Sequence, residues 1–238
     1  DFTVAKATLT VTADDQQVAY GSPKSTVINS GSVTYEGFVN DDTDSVVSGS
    51  VTYTTSYSDN TNAGTAGVSI TPTVSGLAAA NYSFVPADGT VTVTRADQDP
   101  LTLTAGENPG TYGTAIALET SGGTTDGAVS YSFTGSGTAT GCQESSGAVT
   151  STSAGTCVAV ATMQGDTNFN DVSSPPTTVT FSAKELTMSG VIADNKVFDA
   201  ETTATLDFSA ANLVGRIAGD TASEVDFVSS GATGTFAS

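Results

Sequence analysis

Leu9-Thr10-Val11-Thr12-Ala13, followed by Tyr20-Gly21, is the stretch that decides how this chain is organised. It recurs as Leu101-Thr102-Leu103-Thr104-Ala105 with Tyr112-Gly113, and in degraded form as Leu186-Thr187-Met188-Ser189-Gly190 with Phe198-Asp199. From leading Leu to aromatic the spacing is 11, 11 and 12 residues, and the Leu itself returns after 92 and then 85 residues. Solenoid turns are much shorter. Self-similarity at this length means an array of small whole domains. The frame divides the 238 residues into modules 1–96, 97–184 and 185–238.

Inside the first module, apolar residues alternate at Leu9/Val11, Val51/Tyr53 and Val91/Val93, the period of half-buried strands. Asn40-Asp41-Asp42, Ser58-Asp59-Asn60 and Ala87-Asp88-Gly89 punctuate them with residues that accept positive φ or bond their own backbone. Thr, Ser, Gly and Val dominate, which favours strands and turns over helices. In the second module, strands are predicted near 101–105, 115–119, 128–134, 147–152, 157–163 and 177–182. Frequent turn signals between short strands predict a small β-sandwich for each module. The third breaks off at Gly234-Thr235-Phe236-Ala237-Ser238, roughly thirty residues short of the repeat length, so it is expected to be incomplete. An incomplete sandwich exposes strand edges, which a continuation of the chain or a strand from a neighbouring subunit would cover. Asp1-Phe2-Thr3-Val4-Ala5-Lys6 reads as the tail of an earlier module or linker.

The junctions are short. Arg95-Ala96-Asp97-Gln98-Asp99-Pro100 carries one Pro, which removes a donor and biases Asp99 to extended geometry. Such a segment pivots less than a Gly/Ser tether. Ser182-Ala183-Lys184-Glu185 is the second junction.

Composition excludes several function classes. With 25 acidic against 6 basic residues the net charge is −19, so a nucleic-acid partner lacks its Lys and Arg. An anionic membrane surface is unfavourable for the same reason. The charge itself reads either as plain solubility or as that of a secreted protein using Ca²⁺ as counterion. The chain has no His, which removes Ser-His-Asp triads, Cys-His pairs and His-ligated zinc. Paired carboxylates for glycoside hydrolysis remain, but the acids fall in turn-like segments, so the chain is not expected to be an enzyme or to need a cofactor. No apolar run reaches the ~18 residues of a membrane-spanning helix. A leader or anchor, if there is one, lies outside this stretch.

Asp41, Asp42 and Asp44 form the densest acidic run, and Asp97 and Asp99 lie together at the first junction. Each set reads as a Ca²⁺ site, since hard cations take several carboxylate oxygens, or as a capped, solvated turn. Neither fits an EF-hand. Cys142 and Cys157 flank the turn-forming Ser145-Ser146-Gly147. They read as one structural, strand-to-strand disulfide in an oxidising compartment, worth ~3 kcal/mol by loop closure. Two free thiols are the alternative. A lysine isopeptide cross-link is impossible within the Lys-free residues 97–183, while Lys6, Lys24 and Lys196 leave it open elsewhere. Asn81-Tyr82-Ser83 fits a glycosylation acceptor or plain strand structure. Tyr35, Tyr53 and Tyr57 read as an adhesive patch if exposed, or as core. The chain has no Trp, the commonest platform for sugar rings.

These residues carry a family resemblance. Residues 1–96 resemble an MBG-type bacterial immunoglobulin-like repeat through Leu9-Thr10-Val11-Thr12-Ala13-Asp14-Asp15, Tyr20-Gly21, Gly37 to Val46, Asn81-Tyr82 and Val91-Thr92-Val93-Thr94-Arg95-Ala96. Residues 185–238 resemble the first part of a YDG-type repeat, with Phe198-Asp199-Ala200 as its tripeptide; Ala in place of Gly argues against a positive-φ turn there. Asp220-Thr221-Ala222-Ser223 lies 22 residues after Phe198, as Asp42-Thr43-Asp44-Ser45 lies 22 after Tyr20. The middle module is similar to Ig-like repeats of very large bacterial surface proteins, through Gly127-Ala128-Val129-Ser130-Tyr131, Gly141-Cys142 and Ser151 to Cys157. The resemblance implies an all-β chain of tandem small Ig-like β-sandwich modules in an extended array. It also implies a stalk or spacer of an extracellular adhesin, at the cell surface or secreted. Its partners are neighbouring modules or subunits. The alternatives are a filament subunit assembled by strand exchange, and a module that itself binds a glycan or protein.

Overall fold

The chain is seen in a computed structural model that describes residues 2–221 and 225–235. Asp1, the Ala222-Ser223 end of the Asp220 motif and Phe236-Ala237-Ser238 lie outside the described residues. The fold is all-β, with 43% strand and 4% helix. Two compact units form, one from Asp1–Thr102, Ser121–Ser130 and Ala161–Ser174, the other from Leu103–Thr120, Tyr131–Val160 and Pro175–Ser238.

In the first unit the alternation at Leu9, Val11 and Ala13 becomes β1 (Ala7–Ala13), whose inward side chains are all buried. Next come β2 (Gln16–Ala19), a six-residue helix α1 (Lys24–Asn29), β3 (Val33–Glu36), β4 (Ser48–Gly49), β5 (Thr52–Thr55) and β6 (Ser69–Thr73). β7 (Leu77–Ala78), β8 (Tyr82–Ala87) and β9 (Gly89–Thr94) complete the repeat. One sheet has the order β3-β1-β8 and the other β2-β9-β6-β5. Ala13, Val18, Val27, Tyr57, Ile70, Val91 and Val93 pack together as a buried core. Each fully buried aliphatic side chain there contributes roughly 1.5–3 kcal/mol.

The first and last strands run side by side in parallel, and both change sheet. β1 pairs with β8 and β2 pairs with β9, each parallel. The changes fall at Asp14-Asp15 and at Asp88, which are corners and not hairpin turns. Asp15 Oδ1 accepts the Thr90 amide at 2.6 Å, and Asp14 accepts the Ser32 and Thr34 hydroxyls at 2.6 and 2.8 Å. Gly89 is needed here because a Cβ on it would stand 2.3 Å from the Ala13 carbonyl oxygen. The helix corrects the strands-and-turns reading at 24–29. No side chain caps its start at Pro23, but it buries Val27 completely.

The second repeat forms β10 (Leu101–Ala105), β11 (Gly110–Thr111), β12 (Ile116–Gly122), β13 (Val129–Thr134), β14 (Gln143–Ser145) and β15 (Ala148–Thr150). β16 (Gly155–Met163), β17 (Val172–Ser173) and β18 (Thr177–Ser182) follow. The sheets are β10-β12-β15-β14 and β11-β18-β16-β13, with β17 on β16. In the second unit Leu103, Ile116, Leu118, Val149, Cys157, Ala159, Val179 and Phe181 are buried.

The third repeat supplies β19 (Thr187–Ser189), β20 (Ile192–Ala193), β21 (Thr203–Ala204), β22 (Leu206–Asp207), β23 (Asn212–Val214) and β24 (Gly234–Thr235). Among the described residues these form only two-stranded pairs, β19-β23, β20-β22 and β21-β24. The first pair repeats the register of the first repeat. Thr187↔Val214, Met188↔Leu213 and Ser189↔Asn212 match Thr10↔Glu36, Val11↔Tyr35 and Thr12↔Thr34. Gly215 and Gly37 follow, at φ +101° and +107°.

Candidate functional site: the Tyr-Gly corners and what packs on them

The recurring Tyr-Gly sits where the chain leaves each sandwich. β2 ends with Ala19 opposite Thr94, and the Tyr20 amide donates to the Thr94 carbonyl at 2.8 Å. β11 ends with Thr111 opposite Ser182, and the Tyr112 amide donates to the Ser182 carbonyl at 2.8 Å. Parallel pairing to the last strand thus places both aromatics beside the outgoing backbone. Gly21 and Gly113 then turn at φ +77° and +87°, a conformation that glycine takes without steric cost.

In the first unit, Phe169 meets Tyr20 edge-to-face, with ring centroids 5.5 Å apart. Asp166 shapes the loop that presents it, accepting the Asn168 and Phe169 amides at 2.7 and 2.9 Å. Asn168 in turn accepts the Ala63 amide at 3.0 Å and donates to Asn62 Oδ1 at 3.1 Å. The Ala96 amide donates to the Asn168 carbonyl, and the Asn170 amide donates back to Ala96. Gln98 is buried. Its Oε1 accepts the Thr124 and Thr125 amides and the Thr125 hydroxyl at 3.1, 3.0 and 2.9 Å, while its Nε2 donates to the Asn170 carbonyl. Ala96–Asp99 is therefore a clamped segment, held through the Ala96 backbone, the Asp97 and Gln98 side chains and the Asp99 amide, not a bare tether.

In the second unit, the Tyr112 hydroxyl donates to Asp220 Oδ1 at 2.8 Å and lies 3.2 Å from the Thr152 carbonyl. Asp220 Oδ2 accepts the Ile217 amide, and the Asp220 amide donates to the Ile217 carbonyl, which closes a tight turn. Ile217 lies over Gly113, where a Cβ would stand 2.3 Å from its Cδ1.

Strand order, the switch of sheet at Asp14-Asp15 and the Tyr20-Gly21 corner all lie within one matched segment. Residues 9–92 match the MBG domain family, YGX type. A solved structure, Drosophila N-cadherin EC1-4, is similar over 92% of this chain and 66% of its own, at 12% identity and a TM-score of 0.28. Among curated proteins none matches the chain.

The acidic run of the first repeat does backbone work. Asn40 and Asp41 take positive φ, Asp42 Oδ2 accepts the Tyr82 hydroxyl at 2.7 Å, and Asp44 opens a single 3₁₀ turn. Asp97 accepts the Asn170 side-chain amide. Among the described residues no three His, Cys, Asp or Glu side chains converge on a metal-sized site. Of the three tyrosines read as patch or core, Tyr35 is half-buried with its ring 6.3 Å from that of Phe38. Tyr57 is fully buried, its hydroxyl donating to Ser22 O at 2.7 Å, and burial raises its pKa. Tyr53 packs on the core, with its ring against Gly31. Lys6 donates to the Ala79 carbonyl, and Lys196 pairs with Asp199 at 2.8 Å. Asn81 is exposed just before β8, and Tyr82 is buried within it.

In the second repeat, Cys142 and Cys157 form a disulfide with Cα atoms 5.9 Å apart. It joins the edge next to β14 to β16 of the other sheet, so it crosses the sandwich. Ser146 and Gly147 make the β14–β15 turn at positive φ. Sequence reading missed the 166–170 loop and the Gln98 cluster. An Asp followed by Asn, two and four residues on, is the only local sign of the former.

Proposed function

We propose that this chain is a structural segment of an extracellular bacterial adhesin-type protein, in which tandem Ig-like repeats hold another domain away from the cell. The observation that carries this is the fate of the Tyr-Gly corners. Both stand beside the outgoing strand, and both are packed by residues of the following repeat. A chain that only needed solubility has no reason to spend a repeated motif there. The clamped Ala96–Asp99 segment supports the same reading, because a paired linker resists bending. The MBG match and the disulfide fit an exported protein. The role is mechanical and needs neither catalysis nor a cofactor.

Solution scattering tests this. An elongated particle, with each repeat adding roughly 30–40 Å, is the expected result. A compact particle overturns the spacer role. A glycan array with strong binding would shift the assignment to direct adhesion.

A further inference from the structure

The third repeat shows how the start of such a repeat receives the one before it. Residues 37, 39, 42 and 43 of the first repeat correspond, at one offset, to Gly215, Ile217, Asp220 and Thr221, while β1 and β19 match at an offset shorter by one, because one residue separates Lys184 from Leu186 where two separate Lys6 from Leu9. The correspondence is structural as well. The strand pairs share their register, and the turns share the same hydrogen bond, Asp42 amide to Val39 carbonyl at 3.2 Å and Asp220 amide to Ile217 carbonyl at 3.1 Å. In the second unit this turn holds Tyr112 by Asp220 and lies over Gly113 through Ile217. Beside it lies a cleft of about 140 Å³ lined in part by Tyr112 and Ala154 of the repeat ahead.

The corresponding cleft of the first repeat is open. It measures about 370 Å³ and is lined by Ala5, Lys6, Val39, Asn40, Asp42 and Tyr82, among others. Val39, the counterpart of Ile217, is 47% exposed. Tyr82 orients the Asp42 carboxylate through Oδ2, as the Ile217 amide orients that of Asp220. We infer that this cleft is the seat of a Tyr-Gly corner from another Ig-like repeat standing ahead of residue 5. The tyrosine hydroxyl donates to Asp42, and the glycine lies flat beneath Val39. The occupant needs both residue types. A phenol supplies the donor that Asp42 accepts, and a side chain in place of glycine crowds the Cγ atoms of Val39, as at Gly113 a Cβ would stand 2.9 Å from Ile217 Cγ1. Lys6 precedes β1 as Lys184 precedes β19, with one residue more before the leading Leu.

This rests on the tandem-array reading, and the test separates the two. Residues 1–184 are joined directly to residues 7–238, so that Lys184 takes the place of Lys6 and Tyr112-Gly113 faces the second copy of Val39 and Asp42. Hydrogen exchange is compared with that of the 238-residue chain. The inference expects amide exchange at 40–42 of the second copy to slow by about tenfold or more. It also expects Val39→Asp in that copy to abolish the slowing, a change at an exposed side chain outside the core. Unchanged exchange at 40–42 overturns the inference, as does loss of protection across β10–β18 of the leading copy, since Asp42 would then have failed to replace Asp220. If scattering shows the fusion elongated while exchange is unchanged, the spacer role stands and only the seat is lost.

Discussion

Gly113 lies flush against Ile217, so that a Cβ built on the glycine would stand 2.3 Å from the isoleucine Cδ1. At Gly21 the same motif has nothing within 4 Å of that position, although its φ is also positive. The two glycines therefore separate backbone strain from crowding. Gly21→Ala is expected to destabilise by about 1 kcal/mol from φ alone. Gly113→Ala adds displacement of Ile217 and should reach about 2 kcal/mol or more. Denaturant midpoints for the two variants check the difference. Equal losses would mean that Ile217 yields freely.

The Cys142–Cys157 bridge closes a loop with a sequence separation of 15. Reducing it is expected to lower stability by about 3 kcal/mol, through the entropy regained by the unfolded chain. Urea unfolding with and without reductant measures this. Coincident curves would show that the bridge adds nothing to the sandwich.

Asp14 should make stability depend on pH in acid. The Ser32 hydroxyl, and then that of Thr34, hold its carboxyl below the ordinary value of 3.8. Above 3.8 the carboxylate is charged in both states and its full contribution is present. As pH falls below 3.8 the unfolded chain takes up a proton first, and the contribution drains until the depressed folded pKa is passed. Asp14→Asn should flatten that part of the stability profile, and unfolding at a series of acid pH values reads it. An unchanged profile would remove Asp14 from the acid response.

Ala200 adopts φ +65°, although alanine there argued against such a turn. The neighbouring Asp199 explains how the turn survives. Its carboxylate pairs with Lys196 and accepts the Glu201 amide at 3.0 Å, which fixes the backbone on either side. Ala200→Gly should therefore stabilise the third repeat by about 1 kcal/mol. Slower hydrogen exchange around residues 196–204 would confirm it, and faster exchange would refute it.

The strands were legible where a periodic apolar pattern meets a turn signal. Predicted 101–105 and 177–182 coincide with β10 and β18, and 128–134 starts one residue before β13. Short helix α1 left no such mark, since six residues with three β-branched ones and no capping side chain have no helical period to read. The Tyr-Gly repeat was legible as a motif, yet its partners were not. Phe169, Ile217 and Asp220 reach it by long-range packing, and no local spacing encodes that. Gln98 was hidden for the same reason, since its burial depends on Thr124, Thr125 and Asn170 arriving from elsewhere. Asp42 and Asp220 stood out through their shared offset from the aromatic, and each follows a strand pair of the same register.

The parallel pairing of β1 with β8 and of β2 with β9 fixes how the first repeat bears tension. Drawn apart from its two ends, β1 and β2 are pulled one way while β8 and β9 are pulled the other. The force then runs along the strands and across their hydrogen bonds, so both ladders are loaded in shear. Neither can be peeled open one rung at a time, and rupture requires many bonds to fail together. The side-by-side placement of the first and last strands thus makes the repeat a tensile element whose strength is set by ladder length, independently of whether it binds anything.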